Sequence, residues 1–297
     1  MRDSKGDRLM VIFIYTFLSI LAITTLYPFL NAIVVSFNQG SDTSKGGITL
    51  WPRHFTLENY AIVFKDERLM NGFFISVLRT VVGTVTAILA TAIFSYGMSK
   101  KELVGRKYYM VLCIITMYFT GGLIPEFLLM RNLGLMNSFW IFIIPSLIGV
   151  WNMIIFRTFF QGLPAGLEES AKMDGCGNWG TLFRIVLPLS GPVIATLGLF
   201  TAVSHWNEWF MASIYISKED LMPIQTILKQ ILASNIVSEQ TANMDAAALA
   251  HLQKAKTITS KSLSMATMMV ATLPIVCVYP FVQKYFVKGV LVGSLKE

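Results

Sequence analysis

Six long apolar runs occupy most of this chain and constrain its fold more than any other feature. The runs cover about residues 9–37, 73–98, 108–123, 139–160, 189–214 and 263–286. Because a helix needs around 20 apolar residues to cross a bilayer, each run predicts one transmembrane span. Only 14% of the residues are charged and 54% are hydrophobic, whereas a soluble domain carries about 25% charged residues. The sequence therefore predicts an all-α membrane protein in which residues 1–297 form a single transmembrane domain with six transmembrane helices.

The positions of Lys and Arg predict the orientation of these spans. With six spans, both termini lie on the same side of the membrane. The dense basic clusters beside the runs then fall on that side: Arg2, Lys5 and Arg8; Lys100 and Lys101; Arg106 and Lys107; Lys284 and Lys288. Because loops rich in Lys and Arg stay in the cytoplasm, we expect both termini to be cytoplasmic, with outer loops at about 38–72 and 215–262.

The ionisable residues do not favour an enzyme or a nucleic-acid-binding protein. The net charge is +7, but the basic residues are scattered among apolar runs instead of forming a stripe. The chain has 3 histidines, no H-E-x-x-H and no Gly-Lys dipeptide, which excludes that zinc motif and a phosphate-binding P-loop. We therefore expect no catalytic residue, no metal site, no ATPase site and no nucleic-acid partner.

The segment between the fourth and fifth runs, 163–188, is the most informative loop. Its composition predicts two short helices. Glu168 and Glu169 lie in an early turn of the first helix, where carboxylates complement the helix dipole. The small residues Ser170 and Ala171 follow, and they leave a low face that suits docking into a groove of another protein. A solvated surface loop is the alternative on these residues alone.

Glycine, asparagine and proline predict the ends of these two helices. Gly175 suits the left-handed position just after the first helix. Asn178 is a favourable N-cap residue for the second helix. We expect the second helix to stop before Pro188, because proline disfavours helical geometry in the residue that precedes it.

The same loop carries a motif of fixed spacing. It reads Glu169-Ser170-Ala171, three residues, Gly175, nine residues, and then Ile185-x-Leu187-Pro188. This resembles the E-A-A-x3-G-x9-I-x-L-P signature of the ABC importer permeases, with Ser170 in place of the middle alanine. Along most of its length the chain resembles the maltose-type carbohydrate permeases, with supporting stretches at 55–60, 134–138, 206–208 and 289–294. It is most similar to the branch that serves alginate- and pectin-derived oligosaccharides.

The resemblance implies a type I ABC importer transmembrane domain in the bacterial cytoplasmic membrane. The first loop helix would be a coupling helix, seated in a cleft of a separate ATP-hydrolysing subunit. The implied coupling residues are Glu168, Glu169, Ser170, Ala171, Asp174 and Gly175. Two ATP-binding cassette subunits would bind ATP and Mg, and this chain would hold no cofactor. A second related permease, giving a heterodimeric pore, and an extracytoplasmic solute-binding protein would complete the complex.

Polar and aromatic residues inside the spans are candidates for contact with a carbohydrate. They are Trp206, Asn207, Glu208 and Trp209 in the fifth run and Asn152 in the fourth. Sugar sites combine aromatic faces with hydrogen-bonding side chains. The alternative is structural, because Trp also anchors spans at the interface and polar residues in spans bond neighbouring helices. For Arg79 we expect a structural partner inside the bundle, and for Arg157 an anchor at the inner end.

The sequence leaves other classes of membrane protein possible. The motif concerns the contact with the ATPase and does not specify the transported solute, so an importer of an amino acid or a polyamine fits it equally well. An ion-coupled secondary transporter needs intramembrane carboxylates or an inverted repeat, and Glu208 is the one candidate carboxylate. A signalling or scaffold membrane protein is the third class.

Overall fold

The structure is a computed structural model that describes residues 5–242 and 260–294, with the side chains of 6–234, 261–278 and Pro280. Within these ranges the chain is helical, and its extended pairing is a single bridge between Asn38 and Phe55. The sequence prediction of an all-helical fold is confirmed for the described residues.

Twelve helices position the features discussed below. In chain order they are α1 (Lys5–Ser36), α2 (Glu58–Lys65), α3 (Glu67–Ser99), α4 (Arg106–Tyr118), α5 (Leu123–Asn132), α6 (Val150–Gln161), α7 (Ala165–Met173), α8 (Asn178–Leu189), α9 (Gly191–Asn207), α10 (Phe210–Tyr215), α11 (Ile224–Ala242) and α12 (Ser260–Ser294). Two short 3₁₀ turns, Phe139–Phe142 and Ile144–Ser146, precede α6.

Three of the described helices are individually long and apolar enough to cross a membrane: Gly6–Ser36, Glu67–Ser99 and Lys261–Val278. Three further pairs pass the same test but are bent, by 113° between α4 and α5, 48° between Phe139–Ser146 and α6, and 82° between α8 and α9. By length and composition, the described residues therefore hold three candidate spans, or up to six if each bent pair is one span.

The bends occur where the sequence interrupts the helical hydrogen-bond ladder. Between α4 and α5 lie Gly121 and Gly122, and Gly122 has a φ of 88° that a residue with a Cβ rarely adopts. Before α6, Pro145 lacks an amide hydrogen. At the start of α9, Ser190 has a ψ of 13°, which lies outside the helical range, and Pro192 comes two residues later.

The described helices belong to two compact units. The first comprises the described residues of the ranges 1–70 and 228–273. Here Asn59, fully buried, donates to the carbonyls of Ser36 (2.8 Å) and Asn38 (3.0 Å), which fixes α2 against the end of α1. Arg53 pairs with Asp42 at 2.9 Å. Burial by itself raises the pKa of Asp42, but the amide of Asn38 and the charge of Arg53 outweigh it and lower that pKa.

The second unit comprises Asn71–Ile227 with Pro274–Glu297 and contains two apolar cores. One packs the first half of α3 against α5, α10 and the 3₁₀ turns; its buried members are Ile75, Met130, Ile141, Phe142, Ile143, Ala212, Tyr215 and Ile216. The other packs the second half of α3 against α6, α8 and α9; its buried members are Ile88, Ala92, Tyr96, Phe156, Phe160, Leu182, Val186 and Leu197. The second core fixes the two ends of the 163–188 loop.

Candidate functional site

Helix α7 ends as its glycine predicts. Gly175 has a φ of 78°, its amide donates to the Lys172 carbonyl (3.0 Å), and the Cys176 amide donates to the Ala171 carbonyl (2.8 Å). This pair of bonds is the Schellman arrangement, which satisfies the last carbonyls of a helix. The chain therefore turns sharply after Asp174, and α7 stays short.

The six residues singled out on α7 and its end lie on two different faces. Ala171 is buried, and Glu168 is partly buried where its carboxylate pairs with Lys100. The others, Glu169, Ser170, Asp174 and Gly175, are exposed. The structure thus brings all six together within one short segment, with an inner face that fixes the helix and an outer face that is free to meet another molecule.

Large apolar side chains extend the outer face of the loop. Met173 is 88% exposed and Trp179 is 64% exposed. Trp179 stacks on Phe183 with 6.1 Å between ring centroids and 16° between their planes. Exposed apolar surface in a polar loop makes this face a candidate interaction surface. These residues were missed in the sequence, where the spacing of four between Trp179 and Phe183 on a helix was the available signal.

The second loop helix differs from the prediction at both ends. Gly177 occupies the N-cap position and the Asn178 side chain caps nothing, so that prediction was wrong. The helix also continues past Pro188 to Leu189. The segment Leu182–Val186 is a π-helix, in which the Leu187 amide donates to the Leu182 carbonyl. This wider turn carries the helix past a proline that lacks an amide hydrogen.

Three side chains donate to the main-chain carbonyls at the end of α3. Arg157 Nε donates to Met98 (3.1 Å), Gln161 Nε2 to Ser99 (3.3 Å) and Arg106 to Lys100 (3.4 Å). The last carbonyls of a helix have no partner within the helix, so these bonds satisfy them. Arg157 is half-buried and binds the end of α3, so it links two helices; the expectation of an anchor at the inner end of its span did not include this contact.

A cavity of 520 Å³ lies between helices of the second unit. Its polar lining residues are Arg79, Glu126, Ser146, Asn152, Thr201, Ser204, His205 and Glu208. Asn152 on α6 donates to the Thr201 hydroxyl on α9 at 3.2 Å. Apolar walls are supplied by residues such as Phe142 and Phe200. Hydroxyl, amide, imidazole and carboxylate groups in one cavity suit a ligand rich in hydroxyl groups.

The wall of this cavity contains a break in a span, between α9 and α10. Glu208 has an extended ψ of 114° there. Its carboxylate accepts from the amides of Phe210 (2.7 Å) and Met211 (2.9 Å), which caps the start of α10. On the other side, the fully buried Arg79 donates to the carbonyls of His205 and Glu208. Main-chain carbonyls left without a partner at the end of a helix require such donors when they are buried.

The structure places two of the five candidate carbohydrate residues at the cavity. Asn152 and Glu208 line it, whereas Trp206, Asn207 and Trp209 do not. Trp206 is buried edge-on against Phe73, with 5.7 Å between ring centroids. His205, which begins the polar and aromatic run 205–209 in the sequence, also lines the cavity, whereas sequence reasoning did not include Ser204 or Glu126 as contacts for a carbohydrate.

Comparison with known proteins identifies the chain's relatives. The family described as "Binding-protein-dependent transport system inner membrane component" matches residues 1–292. The chain belongs to this family. It is therefore a permease subunit of an ABC transporter and a multi-pass inner-membrane protein.

Several relatives of this permease carry sugar names. It is 39% identical over 290 residues to the polygalacturonan/rhamnogalacturonan transport system permease protein YtcP of Bacillus subtilis (strain 168), covering 98% of this chain and 99% of the relative. It is also 39% identical over 297 residues to Protein LplC of the same organism, covering 100% and 98%. An arabinooligosaccharides transport system permease protein, AraQ of Halalkalibacterium halodurans, is 27% identical, covering 93% of each chain.

Solved structures share the fold of this permease. A chain from a bacterial ABC transporter involved in the import of the acidic polysaccharide alginate superposes with a TM-score of 0.87 at 30% identity, covering 96% of this permease and 99% of that chain. A chain of a bacterial alginate ABC transporter in complex with alginate pentasaccharide-bound periplasmic protein superposes with a TM-score of 0.57 at 13% identity, covering 94% and 93%. The resemblance read in the sequence is confirmed.

Proposed function

We propose that this permease is a transmembrane subunit of an ATP-driven importer of oligosaccharides, and that ATP is hydrolysed by separate subunits docked on α7. The observation that carries the proposal is the outer face of the 163–188 loop. Glu169 and Asp174 offer charges there, while Met173, Trp179 and Phe183 offer exposed apolar area. Apolar anchors surrounded by polar groups are the composition of a protein interface.

Two ATP-binding cassette subunits, a second related permease and an extracytoplasmic solute-binding protein complete the proposed complex. The chain of an alginate transporter that shares this fold was solved with a periplasmic binding protein, which supports the last of these partners. In this arrangement both termini and the 163–188 loop lie in the cytoplasm. ATP and Mg are bound by the cassette subunits.

The proposed pathway for the sugar includes the cavity of 520 Å³. Asn152, Thr201 and Ser204 offer neutral hydrogen-bonding groups to hydroxyls, and Phe200 offers an apolar ring. Oligosaccharide is the substrate class favoured by the relatives, whose names refer to polygalacturonan, arabinooligosaccharides and alginate.

The mechanism follows from a helix that is fixed on one face and free on the other. Ala171 and Glu168 hold α7 to the rest of its unit, so a force applied to the outer face moves the helices beneath it. ATP-driven closure of two cassette subunits draws two such helices together and exchanges inward- and outward-facing states. The nucleotide acts by binding one of the two states better than the other.

Purification of the tagged permease from its native membrane in mild detergent tests the proposal, followed by reconstitution with every subunit recovered. We expect an ATP-binding subunit in the eluate and ATP-dependent uptake of an oligogalacturonide or arabinooligosaccharide into proteoliposomes. Recovery of the chain without any ATP-binding subunit in several detergents contradicts the docking role of α7. Uptake that survives ATP depletion and stops when the proton gradient collapses indicates an ion-coupled transporter instead.

A double substitution tests the docking role of the outer face of α7 separately from the insertion of the chain into the membrane. Glu169→Ala with Gly175→Leu removes a charge from the outer face and forces a side chain into a left-handed position. The variant should insert into the membrane at the normal level and lose its ATPase partner or its transport. Transport at the level of the unaltered chain contradicts the assignment of α7.

A further inference from the structure

The Lys100 side chain contacts α7 through Glu168, on the inner face of the helix and not on the outer face where the ATPase is proposed to dock. Its ammonium group pairs with the Glu168 carboxylate and lies 4.0 Å from the centroid of the Tyr96 ring. The two charged side chains are 22% and 25% exposed. Burial by itself lowers the pKa of Lys100, but Glu168 and Tyr96 outweigh it and raise that pKa, so the lysine is charged at neutral pH.

The pair differs from an ordinary surface salt bridge. Exposed pairs contribute little because water screens them and both side chains are free to move. Here the lysine is held over an aromatic ring, and its own main-chain carbonyl accepts from Arg106. The two preceding carbonyls accept from Arg157 and Gln161. Glu168 is therefore paired with a charge whose position is fixed from several directions.

Helix α3 connects this pair to the cavity. It runs unbroken from Glu67 to Ser99, directly before Lys100. Arg79, which closes the break between α9 and α10 and lines the cavity, lies on the same helix. At 1.5 Å of rise per residue, Arg79 and Lys100 are about 30 Å apart along the helix axis. One rigid element thus carries the contact with α7 near one end and the contact with the cavity wall toward the other.

We propose that the Lys100–Glu168 pair transmits movement of α7 to α3, and through α3 to the cavity wall at Arg79. Lys100 is then a positioning residue for the coupling of ATP hydrolysis to transport, and Glu168 acts on the inner face of α7 and not on the ATPase. This inference rests on the proposed docking of an ATPase on α7. A chain of packed contacts and rigid helices is the physical route for such coupling.

Charge reversal tests the pair in the complete complex. The variants are Lys100→Glu, Glu168→Lys and the two combined, with Lys101→Glu as the matched control. Lys101 is the next residue and is exposed, so its reversal makes the same change of charge without breaking the pair. Three quantities are measured in proteoliposomes for each variant: the amount of ATPase subunit that copurifies, the rate of ATP hydrolysis, and the rate of sugar uptake.

We expect each single reversal to retain the ATPase subunit and to lower sugar uptake per ATP hydrolysed by about tenfold, since two like charges then face each other. The combined variant should recover uptake per ATP to within about threefold of the unaltered complex, because the attraction is restored with the charges exchanged. Lys100→Arg, which keeps the charge and the ring contact, should preserve coupling.

Two outcomes overturn the inference while leaving the docking role of α7 intact. One is uptake per ATP in both single reversals equal to that of the Lys101→Glu control. The other is a combined variant no better than the worse single reversal. Failure of the unaltered chain to retain any ATPase subunit is a different result, and it overturns the proposed function itself.

Discussion

Arg79 on α3 donates a hydrogen bond of 2.6 Å to the main-chain carbonyl of Glu208, at the point where the fifth apolar run stops being helical. The guanidinium also donates to the His205 carbonyl and lies 5.0 Å from the centroid of the Phe142 ring. A charged residue deep in a span, expected from sequence to be structural, is thus the group that makes a broken helix possible. Glu208, at the break, and His205, in the last turn of α9, both line the cavity.

Removal of the Arg79 guanidinium should destabilise the second unit strongly. In Arg79→Met the carbonyls of His205 and Glu208 lose their charged donor, at a cost of about 3 kcal/mol. Thermal unfolding in detergent measures this. Arg68→Met is the control, because Arg68 is an exposed arginine on the same helix. Equal unfolding temperatures for the two variants contradict the role of Arg79.

Gly83 should be intolerant of even one added carbon. A Cβ there would lie 2.6 Å from Nε2 and 2.7 Å from Cε1 of His205, so α3 and α9 would have to separate or the imidazole would have to move. We expect Gly83→Ala to destabilise the fold by about 1–3 kcal/mol. Gly97→Ala on the same helix meets nothing within 4 Å and should be neutral or stabilising. A Gly83→Ala variant as stable as Gly97→Ala contradicts this close approach.

Gly175 should be required for the end of α7, whereas Gly166 should not. The φ of 78° at Gly175 strains any residue with a Cβ. Gly175→Ala should therefore lower the stability of the fold by about 1 kcal/mol and loosen the turn that orients the outer face. Gly166→Ala, on the same helix and with nothing within 4 Å, should favour the helix. Copurification of the ATPase subunit distinguishes them. Equal retention by both variants shows that the turn does not matter for docking.

Asn137 should stabilise the fold in two ways, through its backbone conformation and through its side-chain hydrogen bonds. Two substitutions separate these contributions. Its φ is 55°, and its side-chain oxygen accepts from the amides of Ser217 (2.6 Å) and Lys218 (3.2 Å). Asn137→Gly keeps the backbone conformation and loses the two bonds, at about 1–2 kcal/mol. Asn137→Leu adds strain to that loss. Unfolding temperatures should fall in the order Asn, Gly, Leu; a leucine variant as stable as glycine contradicts the backbone argument.

Some of these features could be predicted from the sequence because they depend on local chemistry. Long apolar runs specify helices in a membrane whatever surrounds them, and Gly175 ends α7 because its own backbone adopts a conformation that other residues avoid. The spacing of the motif from Glu169 to Pro188 identified the family directly.

Other features depend on contacts between distant parts of the chain and could not be predicted in this way. Trp206 and Glu208 are two residues apart, but Trp206 packs against Phe73 and Glu208 lines the cavity. They face different ways because α9 ends at Asn207, which lies between them. Lys100 and Glu168 are 68 residues apart in sequence, and only the packing of α3 against α6 and α8 brings them together. Asn178 is not the N-cap residue because the helix begins at Asn178 itself, which puts Gly177 in the N-cap position.

The stack of Trp179 on Phe183 has a consequence for the life of the protein in the cell. Two exposed aromatic rings and an exposed methionine form apolar surface of the kind that promotes aggregation when no partner covers it. We expect a permease made in excess of its partners to leave this surface uncovered and to be prone to aggregation. The cellular amount of this permease should accordingly follow the supply of whatever subunit covers that surface, and genes for the two should need balanced expression.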